Sequence, residues 1–235
     1  MIIKDIPNRL LDDKTLAWSA TVANKRMNRK RKATGINSYE KDIQLNPITF
    51  LEGRTKQSDV QWLDLCCGEG NALIETAHHF QTKKTSLPIH LTGIDLVDYF
   101  GDAKGLDRFL TLKSLNLSDW LPSQKYDLIT CVHGLHYVGD KLGLILKASS
   151  ALKPNGLFIG NLDLENIKIE GYAKSTKLIK TYFKDQKISC QSRQKLIKIE
   201  GGKRIDSKFG YLGADDKAGP NYTGMEVVHS FYKVH

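Results

Sequence analysis

The chain has 235 residues, of which 40% are hydrophobic and 26% are charged, and its formal net charge at pH 7 is +9. This composition is close to the globular average, which excludes a disordered or a fibrous chain. No apolar run approaches the roughly 20 residues that a membrane span requires, and the acidic residues near the start do not fit a secretion signal. We therefore expect one globular unit in the cytoplasm.

Cysteine content and charge restrict the possible chemistry further. Four cysteines are too few for a disulfide scaffold in a chain of this size. No Cys/His spacing typical of a zinc site occurs, so we expect reduced thiols and no metal.

Six of the nine residues 24–32 are basic, which favours contact with nucleic acid or an anionic substrate. The alternative is a solvated, lysine-rich surface.

Two helices are predicted ahead of the first strand. Apolar residues recur at helical spacing within 9–32, where Asp12 or Asp13 would cap the start. Residues 46–54 form a second, shorter helix with a proline in its first turn. We expect residues 1–57 to form a helical cap or lid, and residues 58–235 to form a methyltransferase domain for the reasons given below.

Strands and helices alternate after the second helix. The predicted strands are 60–67, 89–96, 109–115, 126–132 and 157–163, with helices at 71–80 and 139–152 and a turn at 153–156. This alternation predicts βαβ units and a parallel sheet with helices on both faces. The C-terminal pattern predicts a helix at 171–186, a hairpin of 195–200 and 204–212 turning at Gly201-Gly202, a long loop at 213–224 and a last strand at 226–234.

The turn after the first predicted strand indicates a cofactor site. Ligands of open parallel sheets bind beyond the carboxyl ends of the strands, and Gly68 and Gly70 let the backbone approach a ligand closely. Asp95 ends the second predicted strand, where a carboxylate can take both hydroxyls of a ribose. The turn lacks the first glycine of the dinucleotide fingerprint and contains Glu69, whose charge opposes a phosphate. A phosphate-free cofactor with a positive centre, such as S-adenosylmethionine, fits this turn better.

Five segments in order resemble class I S-adenosylmethionine-dependent methyltransferases. They are LDLCCGEG (63–70), GIDL (93–96), LNLSDW (115–120), YDLITCVHGLHYV (126–138) and LKPNGLFI (152–159). The resemblance implies a Rossmann-like, doubly wound α/β fold with a seven-stranded sheet, an antiparallel last strand and an N-terminal helical extension. It also implies S-adenosylmethionine as the methyl donor and S-adenosylhomocysteine as the product.

The same resemblance implies a set of cofactor contacts. Asp95 matches the ribose-binding acid, Leu96 lies beside the adenine, and Leu117 offers its backbone N–H to the ring. Asn116 stands where many members have an aspartate that holds the adenine amino group. Cys66 replaces a motif glycine, a departure that is tolerable if the backbone stays at negative φ at this position. The expected cofactor-binding residues are Tyr39 (from a lid at 35–42), Asp64, Cys66, Gly68, Gly70, Asp95, Leu96, Asn116, Leu117, Val132 and His133.

The methyl acceptor is expected to lie near the end of the fourth strand. His136 is the preferred general base and His133 is the second candidate, because a neutral imidazole accepts a proton near pH 7. The alternative interpretation is that both histidines contribute to packing and not to catalysis. The polar loop at 213–224 could hold an amine or a hydroxylated acceptor, or could be a solvated turn. The expected substrate-binding residues are Tyr137, Asp215, Asp216, Asn221 and Tyr222.

The residues leave three functions open. The leading hypothesis is methyl transfer to an O or N atom of a small molecule or short peptide. The alternatives are an RNA methyltransferase that uses the basic N-terminal segment, and a non-catalytic protein that binds S-adenosylmethionine. The absence of an Asn-Pro-Pro-Tyr run argues against methylation of DNA adenine, and the glycine pattern disfavours a nicotinamide dehydrogenase.

Overall fold

The structure is a computed structural model that describes residues 7, 9–23, 30–54, 59–83 and 88–235. Its helices are α1 (Asp13–Leu16), α2 (Tyr39–Ile43), α3 (Pro47–Glu52), α4 (Asn71–Thr82), α5 (Lys141–Ser150) and α6 (Ser175–Asp185). Its strands are β1 (Val60–Leu65), β2 (Ile89–Asp95), β3 (Leu110–Ser114), β4 (Tyr126–Cys131), β5 (Leu152–Asn161), β6 (Ile167–Ile169), β7 (Ser189–Gln191), β8 (Leu196–Glu200), β9 (Phe209–Asp215) and β10 (His229–Val234).

Seven of these strands form one sheet in the order β3-β2-β1-β4-β5-β8-β7. The first five positions in this order are parallel neighbours, and β8 runs antiparallel to β5. The arrangement confirms the predicted Rossmann-like α/β sheet with an antiparallel last strand. Because β1 to β5 are parallel, their carboxyl ends meet at one edge, which is where such sheets bind ligands.

Alternate side chains of the central strands build a core on each face of the sheet. On one face, Trp62 of β1 and Leu128 of β4 belong to the same buried cluster as Leu73 of α4. On the other face, Leu63 of β1 packs in a cluster with Ile145 of α5. Burial on both faces explains why these strands are continuous apolar runs in the sequence.

A second, three-stranded sheet of order β6-β10-β9 lies outside the predicted architecture. Strand β10 pairs in parallel with β6 and antiparallel with β9. The N-terminal arm, residues 9–23, joins this sheet, because Leu11 and Ala214 exchange two backbone hydrogen bonds of 2.8 and 2.9 Å. No helix among the described residues is long and apolar enough to cross a bilayer.

The prediction of one helix over 9–32 is wrong in the part of the chain that the structure describes. Only Asp13–Leu16 is helical, where Asp12 accepts a hydrogen bond from the backbone N–H of Thr15, and turns follow it. The arm does not continue as one long helix, because it packs on β9. Residues 24–29 of the basic segment lie outside the described residues. The predicted short helix is confirmed as α3, with Pro47 in its first turn.

The predicted hairpin at Gly201-Gly202 is also wrong. Strand β8 pairs with β5 and β7, whereas β9 pairs with β10 in the second sheet. The backbone N–H groups of the two glycines instead donate to the carbonyls of Gly156 and Lys153. The predicted turn at 153–156 lies inside β5 as an irregularity, across which the pairing with β4 shifts register.

A buried hydrogen-bond network joins the sheet to the N-terminal segment. Asp64 of β1 is fully buried, and its Oδ1 accepts from Thr130 Oγ1 at 2.6 Å while its Oδ2 accepts from Tyr39 Oη at 2.6 Å. Thr130 Oγ1 in turn accepts from Trp62 Nε1 at 2.8 Å. Buried polar groups are costly unless they are hydrogen-bonded, so this network fixes α2 against β1 and β4.

Replacing Tyr39 with phenylalanine should destabilise the fold. The change leaves Asp64 with one side-chain donor fewer in a buried environment, which costs about 1–3 kcal/mol. Urea unfolding of Tyr39→Phe measures this loss. Tyr182→Phe is the matched control, because the Tyr182 hydroxyl donates to the Asp206 carbonyl in a partly buried setting. An equal loss of stability in both variants would contradict the role of the Asp64 network.

The titration of Asp64 should make stability depend on pH. Burial raises the pKa of Asp64 to about 7, although hydrogen bonds from Thr130 and Tyr39 oppose the rise. Since the pKa is higher in the folded state than in the unfolded state, the stabilisation is complete below the unfolded pKa and is lost as pH rises through about 7. Asp64→Asn removes this titration. The stability difference between wild type and Asp64→Asn should therefore fall from about pH 4 to pH 7 in urea titrations, and a constant difference would refute the assignment.

Candidate functional site

A cavity of about 500 Å³ lies at the carboxyl-terminal edge of the central sheet. Its floor follows the strand order, with residues that come after β3, β2, β1 and β4 in turn. The floor therefore has two ends, one over β2 and β3 and the other over β4. From the first end to the second, the residues are Asn116 and Leu117, Asp95 and Leu96, Cys66 to Gly68, and Val132 to Gly134.

The turn after β1 brings the backbone to the cavity floor. Gly68 has φ 62° and Gly70 has φ 75°, and Gly70 precedes the first turn of α4. Cys66 has φ 58°, so the condition of a negative φ under which the cysteine would be tolerated is not met. A left-handed conformation costs a residue with a side chain roughly 1 kcal/mol. Cys66 thus adopts the left-handed backbone conformation that usually favours glycine.

The side chain of Cys66 occupies space that Gly134 leaves free. A Cβ atom placed on Gly134 would lie 2.4 Å from Cys66 Cβ and 2.7 Å from its sulfur. Cys131 Sγ would lie 2.9 Å from the same point. Real Cβ atoms do not approach neighbours so closely, so the glycine after β4 accommodates the cysteine after β1.

Asp95 fixes the middle of the cavity floor. Its Oδ2 accepts from the backbone N–H of Gly68 at 2.8 Å, and its Oδ1 accepts from the backbone N–H of Val97 at 3.2 Å. These bonds connect the ends of β1 and β2 and orient the carboxylate at the cavity wall. An oriented carboxylate at the end of the second strand can bind the two hydroxyls of a ribose.

The wall of the cavity over β2 and β3 combines apolar side chains with polar ones, and this combination suits an adenine ring. Leu96 and Leu117 come from the sheet edge, and Asn116 and Ser118 are polar neighbours. The N-terminal arm belongs to the segment 1–57 that was expected to form a cap, and it closes this end with residues that were not among the predicted site residues. The residues that the arm contributes are Asp13, Leu16, Ala17 and Val22.

The opposite end, over β4, combines an imidazole with a charged pair. His133 Nε2 lies 3.4 Å from Asp42 Oδ2, which also accepts from Arg31 Nε at 2.5 Å. Burial opposes ionisation of Asp42, but the hydrogen bonds and charges of His133 and Arg31 outweigh it and lower the pKa of Asp42. Asn161 holds the backbone on both sides, accepting from His133 N and donating to the Asp42 carbonyl. Tyr39 and Arg31 also line the cavity.

His136 is placed deeper in the wall than His133. Its side chain is buried, its Nε2 lies 3.4 Å from Tyr222 Oη, and its Nδ1 has no partner among the described residues. Burial, followed by the electrostatic effect of the His133 side chain and of nearby basic groups, lowers the pKa of His136 to about 3. A group that is so weakly basic accepts a proton poorly at neutral pH.

The structure separates the predicted site residues into two groups. Eleven of them line the cavity: Tyr39, Cys66, Gly68, Asp95, Leu96, Asn116, Leu117, Val132, His133, His136 and Tyr137. Tyr222 contacts the outer side of His136. Asp64 lies behind the wall in the Tyr39 network, and Gly70 lies behind the floor, where a Cβ atom would meet Leu112.

Three of the predicted substrate-binding residues in the loop at 213–224, namely Asp215, Asp216 and Asn221, do not line the cavity. Asp215 Oδ1 accepts from the backbone N–H of Lys217, and the Asp216 carbonyl accepts from Thr21. Asn221 Oδ1 accepts from the backbone N–H of Thr223. These groups shape the loop and attach it to the N-terminal arm. Arg31 and Asp42, by contrast, were missed because only the folded N-terminal segment brings them to β4.

No group of three or more His, Cys, Asp or Glu side chains that could hold a metal occurs among the described residues. The residues of the cavity suit an organic cofactor: one oriented carboxylate, a backbone that a ligand can approach closely at a glycine turn, and a leucine-lined wall. These features fit the ribose, the methionine portion and the adenine of S-adenosylmethionine.

Comparisons with solved structures find similar chains at low sequence identity. Magnesium protoporphyrin IX methyltransferase from Synechocystis PCC 6803, with S-adenosylmethionine bound, is 17% identical, with a TM-score of 0.47 over 79% of this chain and 90% of that chain. The DhpI–S-adenosylhomocysteine complex is 18% identical, with a TM-score of 0.41 over 65% and 83%. The [4+2]-cyclase SpnF is 17% identical, with a TM-score of 0.40, and the chain spans about half of its length, 48%.

No curated protein sequence matches the chain. A family model described as a methyltransferase domain, however, matches residues 26–199, which is more than half of the chain. The match covers all five segments that carry the resemblance in the sequence, and it confirms both the predicted class of enzyme and the predicted cofactor. The chain belongs to the methyltransferase domain family, within the class I S-adenosylmethionine-dependent superfamily.

Proposed function

We propose that the protein transfers a methyl group from S-adenosylmethionine to an O or N atom of a small molecule or short peptide. One observation carries this proposal: a single cavity connects the ribose-type carboxylate Asp95 to the imidazole of His133. The cofactor would lie along the floor with its adenine over β3 and its methyl group over β4. Its sulfonium supplies the electrophilic methyl group.

Each part of the cofactor has a matching group in the cavity. Asp95 would bind the ribose, Leu96 would pack on the adenine, and Gly68 would let the backbone approach the methionine portion. Arg31 and Tyr39 lie at the methionine end. A guanidinium can hold a carboxylate through two hydrogen bonds, so Arg31 is suited to the cofactor's carboxylate.

The size and enclosure of the cavity favour a compact acceptor. Ligand pockets commonly have volumes of about 300–1,000 Å³, and here about 500 Å³ must hold the donor as well as the acceptor group. Tyr137, Thr223 and Met225 line the wall beyond His133. The acceptor would approach over β4, between this wall and the cofactor's sulfonium, because methyl transfer requires an in-line approach.

His133 is better suited than His136 to remove a proton from the acceptor. His133 lies at the cavity wall beside Asp42, and a carboxylate orients an imidazole and stabilises its protonated form. His136 is buried and weakly basic. We therefore assign the base to His133 and the wall of the acceptor site to His136, Tyr137 and Tyr222.

The N-terminal segment would act as the cap over this site. Asp13, Leu16 and Arg31 all line the cavity, and Tyr39 is bonded to the core below it. This supports residues 1–57 as a cap on a methyltransferase domain at 58–235. The loop around Asp215 and Asp216 would hold the cap in place through Thr21 rather than bind substrate.

Asp95→Ala should abolish tight binding of S-adenosylhomocysteine. The variant loses charge-assisted hydrogen bonds to the ribose, each of which contributes about 1.5–3 kcal/mol, so the dissociation constant should rise by about a hundredfold or more. Calorimetric titration measures it, with thermal unfolding to verify the fold. The control is Asp98→Ala, which removes an exposed carboxylate three residues away. Unchanged affinity in a folded Asp95→Ala protein would refute the cofactor pose.

His133→Ala should slow methyl transfer and leave cofactor binding almost unchanged. Loss of a general base typically lowers turnover by about 10²–10⁴-fold. Release of S-adenosylhomocysteine would be followed with a panel of phenols, hydroxy acids and amines, and the variants would be compared on any acceptor found. His78→Ala, at an exposed position on α4, is the control. If His136→Ala is slowed and His133→Ala is not, our assignment of the base is incorrect.

A further inference from the structure

An asparagine follows β3 at the end of the cavity where we place the adenine. Asn116 occupies that position, and both polar atoms of its side chain already have protein partners. Its Oδ1 accepts from the backbone N–H of Ser118 at 3.1 Å, and its Nδ2 donates to the Asp13 carbonyl at 3.5 Å. Asn116 therefore stabilises its own turn and also brings Asp13 to the adenine end.

Asp13 supplies a carboxylate to the wall of this same end. It comes from the first turn of α1, lines the cavity, and lies beside Asn116 through the hydrogen bond just described. Its Oδ1 accepts from Tyr211 Oη at 3.1 Å. A Cβ atom on Gly139 would lie 2.0 Å from the same oxygen, so this glycine leaves the space in which the carboxylate sits.

The protein leaves part of the hydrogen-bonding capacity of Asp13 unused. A carboxylate has about four acceptor positions, and Asp13 receives bonds from the Tyr211 hydroxyl and the Asp140 backbone. No cation forms a direct ion pair with it among the described residues, in contrast to Asp42, which has Arg31. The neighbouring Asp140 is committed to the start of α5, where it accepts from the backbone N–H of Gly143. Asp13 thus keeps acceptor positions for a hydrogen bond from a ligand at this end.

We propose that Asp13 accepts a hydrogen bond from the 6-amino group of the cofactor's adenine and makes the site selective for adenosine over inosine. The N-terminal arm then provides the acid that the position after β3 lacks. This inference rests on the proposed function only for the cofactor's orientation in the cavity. It requires neither a particular acceptor nor a particular general base.

The test compares S-adenosylhomocysteine with S-inosylhomocysteine, in which a 6-oxo group replaces the 6-amino group. Both are titrated calorimetrically into the whole chain. The wild type should bind the adenosine compound about tenfold or more tightly than the inosine compound, because a 6-oxo group faces the carboxylate without a proton to donate. In Asp13→Asn, the amide can donate to the 6-oxo group, so this ratio should fall by about tenfold.

Two further variants separate recognition from structural support. Asp12→Asn changes the adjacent exposed residue and keeps a side-chain oxygen for the helix cap, so its ratio should equal that of the wild type. Asn116→Ala should weaken both compounds to a similar extent. A lower ratio in Asn116→Ala with an unchanged ratio in Asp13→Asn would assign recognition to Asn116 and overturn the proposal.

Other outcomes would overturn the proposal as well. Equal weakening of both compounds in Asp13→Asn would show that Asp13 only attaches the arm. A wild-type ratio near one would show that the site does not distinguish the two bases. If the wild type bound neither compound, the proposed function would fail together with the inference, whereas binding without discrimination would refute the inference alone.

Discussion

The carboxylate of Asp64 holds together the parts of the protein on which the site depends. It lies in the interior of β1, receives one hydrogen bond from β4 through Thr130, and receives another from α2 through Tyr39. A buried acid of this kind is tolerated only while its donors remain in place. The N-terminal segment is therefore attached to the sheet at the point where the strands end. Asp42 follows Tyr39 within α2, so the same attachment sets the distance between Asp42 and His133.

The two ends of the cavity differ in chemistry because different parts of the chain close them. The adenine end is closed by the arm, which is fixed by the backbone pairing of Leu11 with Ala214 and by the bond from Tyr211 to Asp13. The methyl end is closed by α2 and by the residues that follow β4. Carboxylates line the first end, whereas Arg31 and His133 line the second. Under the proposed function, cofactor recognition and reaction chemistry are thus separated along one groove.

The sheet and its cofactor edge could be predicted from the sequence because they depend on local patterns. Apolar strands such as 60–65 and 126–131 are buried on both faces, and the turn at Gly68 and Gly70 follows directly from residue type. The hairpin at Gly201-Gly202 could not be predicted correctly, because β8 finds a better partner in the distant β5. Asp13 and Asp42 could not be identified for a similar reason. Tertiary packing brings Asp13 to the cavity and Asp42 to His133, and their neighbours in sequence give no indication of either contact.

The contact between Cys66 and Gly134 has a consequence for how this turn can change over time. With cysteine at 66, even alanine at 134 would collide with its Cβ and sulfur atoms. A chain that first acquired glycine at 66 would lose both that obstacle and the left-handed strain. Of the three atoms nearest to the new methyl group, the Cys131 sulfur alone would then remain. The order of the two substitutions therefore decides which intermediate sequences can fold. A change at either position carries information about the other, although they belong to different motifs and lie far apart along the chain.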